Sequence, residues 1–178
     1  RQLELTGVNV QLGTRVSAAD LVSGGFDAVI LATGVHPRQI KLDGIEHEKS
    51  LSYIDVLLGD TEVGDKVAII GAGGIGFDVA EFLVHSGPST ALDTNAFMAQ
   101  WGVDQTFSVR GGLTEAADWN PARRITLCQR SKGKLGAGLG KTTGWIHRSA
   151  LKKNKVEMLS ECQYTRIDDQ GLHLTVRG

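Results

Sequence analysis

The stretch KVAIIGAGGIGFDVAEFL, Lys66 to Leu83, decides the fold. The apolar residues of Val67–Ile70 run into Gly71-Ala72-Gly73-Gly74-Ile75-Gly76, and a helix-like segment follows. A short apolar run closed by glycines reads as a buried parallel strand. Ile75, Val79, Phe82 and Leu83 fall at helical spacing, so the next segment is expected to pack a helix on that sheet. The glycines then have separate duties. Gly71 permits the bend out of the strand, Gly73 lets backbone approach a pyrophosphate, and Gly76 lets helix and strand pack closely. The free N–H groups and partial positive charge of the helix N-terminus suit the phosphates. This context makes G-x-G-x-x-G a dinucleotide-binding signal rather than a chance spacing.

A dinucleotide unit of this type normally places a carboxylate about 20 residues further on, at the adenosine ribose. No second strand is found at that distance. The next one is Ile125–Gln129, and it leads into Arg130-Ser131-Lys132, with Lys134 close behind. A carboxylate holds a 2′-OH, whereas a 2′-phosphate repels it and needs cations and hydroxyls. Arg130, Ser131 and Lys132 therefore point to NADP(H) rather than NAD(H).

Around this unit the chain reads as α/β, a Rossmann-like parallel sheet flanked by helices, with a hairpin or meander at the end. Gly7–Val16 alternates like a strand, and Phe26–Arg38 reads as a buried parallel strand closed by Gly34 and Pro37. The polar stretch to Ser50 reads as a linker. Ser52 is a plausible N-cap for a short helix. Thr90–Asn120 carries Trp101 and Trp119, so it is read as an insertion in the domain, with a short helix near Ala96–Trp101. A further helix is expected from Thr142 or Thr143 to Asn154, with Trp145 and Ile146 in the core. Asp169-Gln170-Gly171 marks the turn of a hairpin.

The chain has 178 residues, and its 23 glycines against 3 prolines fit tight turns in an α/β protein. A formal charge of −1 gives no general attraction to nucleic acid or to a membrane surface. No signal peptide or membrane-spanning run is present, which sets a cytoplasmic default. Cys128 and Cys162 are expected to be buried spectator thiols, without a disulfide or metal. The five histidines, among them His36, His85 and His147, are scattered and show no ligand spacing. No residue is assigned as catalytic. Gly140-Lys141-Thr142 resembles the end of a P-loop, but Leu135 stands where that motif needs its first glycine. The start at Arg1 and the stop soon after a hairpin strand mark the chain, on this reading, as a piece of a larger protein.

FDAVILATGVHPR, VAIIGAGGIGFDVAEFL and above all LGKTTGWIHR resemble the bacterial NADPH-dependent 2,4-dienoyl-CoA reductases. The likeness spans essentially the whole chain. It implies that residues 1–37 are the tail of an FAD-binding domain and 38–178 an NADPH-binding domain. It implies that Val16, Ala32, Thr33 and Gly34 approach FAD, so the FAD site here is partial. It also implies that FMN and a 4Fe-4S cluster belong to parts of the enzyme outside this chain, and that the partners are NADPH and those remaining domains. Hydride would pass from NADPH to FAD, for reduction of unsaturated fatty acyl-CoA. The alternatives are an ADP- or NADH-binding domain of a related flavoprotein, such as a trimethylamine-dehydrogenase-like protein or an enoate reductase, and a non-catalytic nucleotide-sensing domain.

Overall fold

The computed structural model describes residues 1–177 and divides them into two units, Arg1–Gln39 and Ile40 onward. The first unit holds two short helices, α1 (Gln2–Leu5) and α2 (Ala18–Ser23). A reciprocal capping box starts α2. The Ser17 side chain accepts from the Asp20 amide at 3.3 Å, and the Ser17 amide donates to the Asp20 carboxylate at 2.8 Å. Neither strand expected here forms. Gly7–Val16 and Phe26–Arg38 are non-strand and exposed, with Ile30 and Leu31 at 89% and 80% exposure. A strand exists only through hydrogen bonds to a neighbouring strand, and these runs pair with none among the described residues.

The second unit is built on a parallel sheet in the order β1-β2-β3, with β1 Lys66–Ile70, β2 Arg124–Cys128 and β3 Glu157–Leu159. The register runs from Lys66 opposite Arg124 to Ile70 opposite Cys128, then from Thr126 opposite Glu157 to Cys128 opposite Leu159. Helix α4 (Gly74–Val84) follows β1, and α6 (Gly144–Lys153) joins β2 to β3. α3 (Tyr53–Leu58), capped by the Ser52 side chain as expected, precedes β1, and α5 (Thr94–Trp101) lies between α4 and β2. The hairpin is β4 (Cys162–Asp168) and β5 (Gly171–Val176). No helix among the described residues is long and apolar enough to cross a membrane.

Phe77, Val79, Ala80, Leu83 and Val84 of α4 pack with Ile125, Leu127 and Leu151 in one core. Each large side chain buried there contributes roughly 1.5–3 kcal/mol. Ile75 and Phe82 do not join them; both face outward, about half exposed. The helix is apolar nearly all round, so spacing alone does not select its buried face.

The stretch before Ser50 is not a free linker. Asp43 bridges to Arg166, the Ile167 amide donates to the Asp43 carbonyl at 2.8 Å, and His47 meets Asp169 at 3.1 Å. The segment is strapped to the hairpin. The insertion is likewise folded onto its domain. Trp101 and Trp119 meet edge to face at 5.2 Å, and the Lys153 ammonium of α6 lies 5.3 and 5.4 Å from the two ring centres.

Candidate functional site: the glycine turn and the end of β2

The site grows from the register of β1 and β2. Where β1 ends, the Gly71 amide donates to the Cys128 carbonyl at 2.9 Å, so the glycine turn and the loop after β2 start side by side. Gly71 has φ +115°, a conformation that excludes most side chains. Gly76 is required by packing. A Cβ there would lie 1.9 Å from the Gly71 carbonyl oxygen. Gly73 differs: its φ of −81° suits any residue, and a Cβ would meet nothing within 4 Å. Gly74 is equally open. Gly73 is also the N-cap of α4, with no side chain to cap the helix. The result is an open turn at an uncapped helix N-terminus, whose free N–H groups suit an anion.

Beyond β2, Gln129 shapes the loop. Its side-chain amide donates to the carbonyls of Ser131 and Gly133 at 3.1 and 3.0 Å. Arg130, Ser131 and Lys132 are exposed on this loop, and Lys134 follows. Among the described residues, no carboxylate makes an ion pair with Arg130, Lys132 or Lys134. The glycine-rich loop that follows is a packing element, not a phosphate loop. Leu135 is buried, and a Cβ on Gly136 would lie 2.7 Å from the Phe77 ring.

A cleft of about 610 Å³ opens beside this loop, between α6 and β3. Its cations are Lys134, Arg148 and Lys152, its hydroxyls Ser149 and Ser160. No carboxylate is among its lining residues. Arg148 is fixed in part by donating from Nη1 to the Gly136 carbonyl at 2.8 Å. Trp145 also lines the cleft and is 58% exposed, and Ile146 is exposed too. The expectation that both belong to the core is therefore corrected: α6 buries Gly144, Ala150 and Leu151 instead. Arg148, Lys152 and Trp145 were not assigned to a site from the sequence. The signal was their recurrence at α6 positions 145, 148, 149 and 152, one face of a helix.

Under the loop lie the two cysteines, both free and buried. The Cys162 amide donates to the Gln129 carbonyl at 3.0 Å, which brings Cys162 beside Cys128. Burial, with Cys162 adjoining, pushes the Cys128 thiol up to about 12, so it stays protonated and unreactive at neutral pH. Of the other expected site residues, Val16, Ala32, Thr33 and Gly34 lie in the first unit, all exposed. The remaining seven lie on the turn and the loop just described.

The profile of the pyridine nucleotide-disulphide oxidoreductases matches residues 1–178. A metal reductase of Desulforamulus reducens is 26% identical over 170 residues, which cover 93% of this chain and 24% of that protein. A cinnamate reductase of Clostridium sporogenes is 36% identical over 86 residues, 48% of this chain and 13% of that one. A solved complex of 2-naphthoyl-CoA reductase with 2-naphthoyl-CoA shares the fold with a TM-score of 0.64 at 20% identity, covering 99% of this chain and 21% of that one. The matched regions thus span no more than about a quarter of the length of these relatives.

Proposed function

The chain belongs to the pyridine nucleotide-disulphide oxidoreductase family, and from that premise we propose that the unit from Ile40 onward binds NADPH and presents it to a flavin. The observation that carries this reading is the end of β2. The loop there offers Arg130, Lys132 and Lys134 without a carboxylate partner among the described residues, beside the open turn at Gly73. Gly71, Gly73, Gly74 and the first turn of α4 hold the pyrophosphate; Gly76 shapes that turn by letting α4 close on it. Arg130, Ser131 and Lys132 receive the 2′-phosphate, with Lys134 and Arg148 extending the cationic surface and Trp145 giving the adenosine end an apolar face. Val16, Ala32, Thr33 and Gly34 approach FAD.

NADPH supplies the hydride when bound; this chain's residues bind it, fix its direction across the sheet and neutralise its phosphates. The flavin then serves reduction of an unsaturated acyl-CoA in the longer protein, as the resemblance to 2,4-dienoyl-CoA reductases implies. The relatives named as cinnamate reductase and 2-naphthoyl-CoA reductase support a conjugated substrate of this general kind. FMN and a 4Fe-4S cluster belong to the same proposal, outside this chain.

Arg130→Ala tests the cofactor choice. Loss of a charge-assisted contact to the 2′-phosphate costs about 1.5–3 kcal/mol. In the full-length protein, NADPH binding is expected to weaken about ten- to a hundredfold while NADH binding holds. Equal losses for the two nucleotides in a titration would show that Arg130 does not read the phosphate.

A further inference from the structure

We propose that Gln129 is a positioning residue for the loop after β2, and that its side-chain amide sets the preference for NADPH over NADH; this rests on the reading of Arg130, Ser131 and Lys132 given above. Gln129 is the first residue past β2, which ends at Cys128. Its backbone is pinned, because its carbonyl accepts from the Cys162 amide at 3.0 Å. Its half-buried side chain reaches along the loop, and Nε2 donates to two carbonyls, Ser131 at 3.1 Å and Gly133 at 3.0 Å. The loop turns at Gly133, whose φ of +98° lies in the region that favours glycine. Both donors of one amide are thereby used to close the loop around Lys132.

A carbonyl oxygen carries partial negative charge and repels an anion. With both carbonyls committed to Gln129, the groups left to an incoming phosphate are the cations and the Ser131 hydroxyl. The Ser131 carbonyl also accepts from the Glu161 amide at 3.3 Å. For the Gly133 carbonyl, Gln129 is the one hydrogen-bond partner among the described residues. The position therefore needs a donor. Glutamate has the same length and shape, but its charged oxygen would stand 3.1 and 3.0 Å from two carbonyl oxygens, with repulsion in place of two hydrogen bonds. A carboxylate at 129, of the kind that reads a 2′-OH, would open the loop and also oppose a 2′-phosphate. The amide closes the loop and leaves the end of β2 without that charge.

Gln129→Met keeps the length of the side chain and removes both donors. In the full-length protein, the dissociation constant for NADPH is expected to rise about tenfold and that for NADH to stay put. The phosphorus NMR signal of the bound 2′-phosphate should move towards that of free NADPH, while the pyrophosphate signals stay. A purely structural role would not divide the two ends of the nucleotide in this way. Gln129→Glu should go further, with NADPH weakened at least about a hundredfold and NADH bound no less tightly than by the parent. The proposal is overturned if Gln129→Met weakens both nucleotides alike or neither, or if Gln129→Glu keeps the parent's NADPH-to-NADH ratio. Arg130→Ala reports separately on the underlying reading. If it alters the ratio and Gln129→Met does not, Arg130 reads the phosphate and the Gln129 amide has no part in it. If Arg130→Ala leaves the ratio unchanged, both readings fall.

Discussion

Gly76→Ala is expected to unfold the second unit. The added Cβ would sit 1.9 Å from the Gly71 carbonyl oxygen and 2.9 Å from its carbon. Both are backbone atoms, so no rotamer change relieves the overlap. Either the β1–α4 turn opens or α4 lifts away from β2, where Leu127 is wholly buried. The first route breaks the Gly71–Cys128 hydrogen bond, and the second strips Phe77, Ala80 and Leu83 from the core. The cost is expected to exceed about 4 kcal/mol, the range reached only when a substitution breaks a backbone or core requirement. Chemical denaturation of the full-length protein measures it. A midpoint within error of the parent would mean that the close approach of α4 to the turn is not as described.

Gly73→Val, three residues earlier, is expected to do the reverse. Its backbone is one that valine adopts, and the space before it is empty. The fold should therefore survive, with unchanged circular dichroism. The branched side chain occupies the open space at the head of α4, where on the proposed reading the pyrophosphate needs direct access to backbone N–H groups. Dinucleotide affinity is expected to fall about a hundredfold, the ~3 kcal/mol typical of forcing atoms into occupied space. NADPH and NADH should suffer alike, because they share the pyrophosphate. Binding at the parent level would reduce the motif to a structural turn.

The glycine turn shows why the dinucleotide unit was legible in the sequence. Gly71 is required by its own positive φ and Gly76 by the carbonyl five residues before it, so both requirements are local, and a strand–turn–helix is written in one short stretch. The pairing of β1 with β2 was legible for a related reason: two apolar runs of five residues in a chain of this type have each other as partners. The N-cap at Ser52 and the hairpin turn at Asp169-Gln170 are equally local.

Most of the misreadings depend on distant partners. Phe26–Leu31 has the apolar run of a buried strand, but a run states a preference for burial and not what provides it. The helix α2 was missed although Ser17-Ala-Ala-Asp20 spells a capping box. Strand β3 was absorbed into the hairpin pattern, because its three residues are too few to show a period of their own. The outward turn of Trp145 depends on which face of α6 meets the core, and the approach of Cys162 to the start of the loop after β2 depends on the whole path through β3. The cationic cleft was illegible as a unit, since α6 and the loop supply its parts from different stretches.

The most direct measurement is a titration of the full-length protein with NADPH, NADH and ADP under one set of conditions. The account predicts that NADPH binds at least about tenfold more tightly than NADH, since the 2′-phosphate adds one or more charge-assisted contacts at the end of β2. It also predicts that added salt narrows the gap, because Arg130, Lys132 and Lys134 are exposed and their attraction is screened. NADH binding as tightly as NADPH, or ADP binding where neither dinucleotide does, would contradict it.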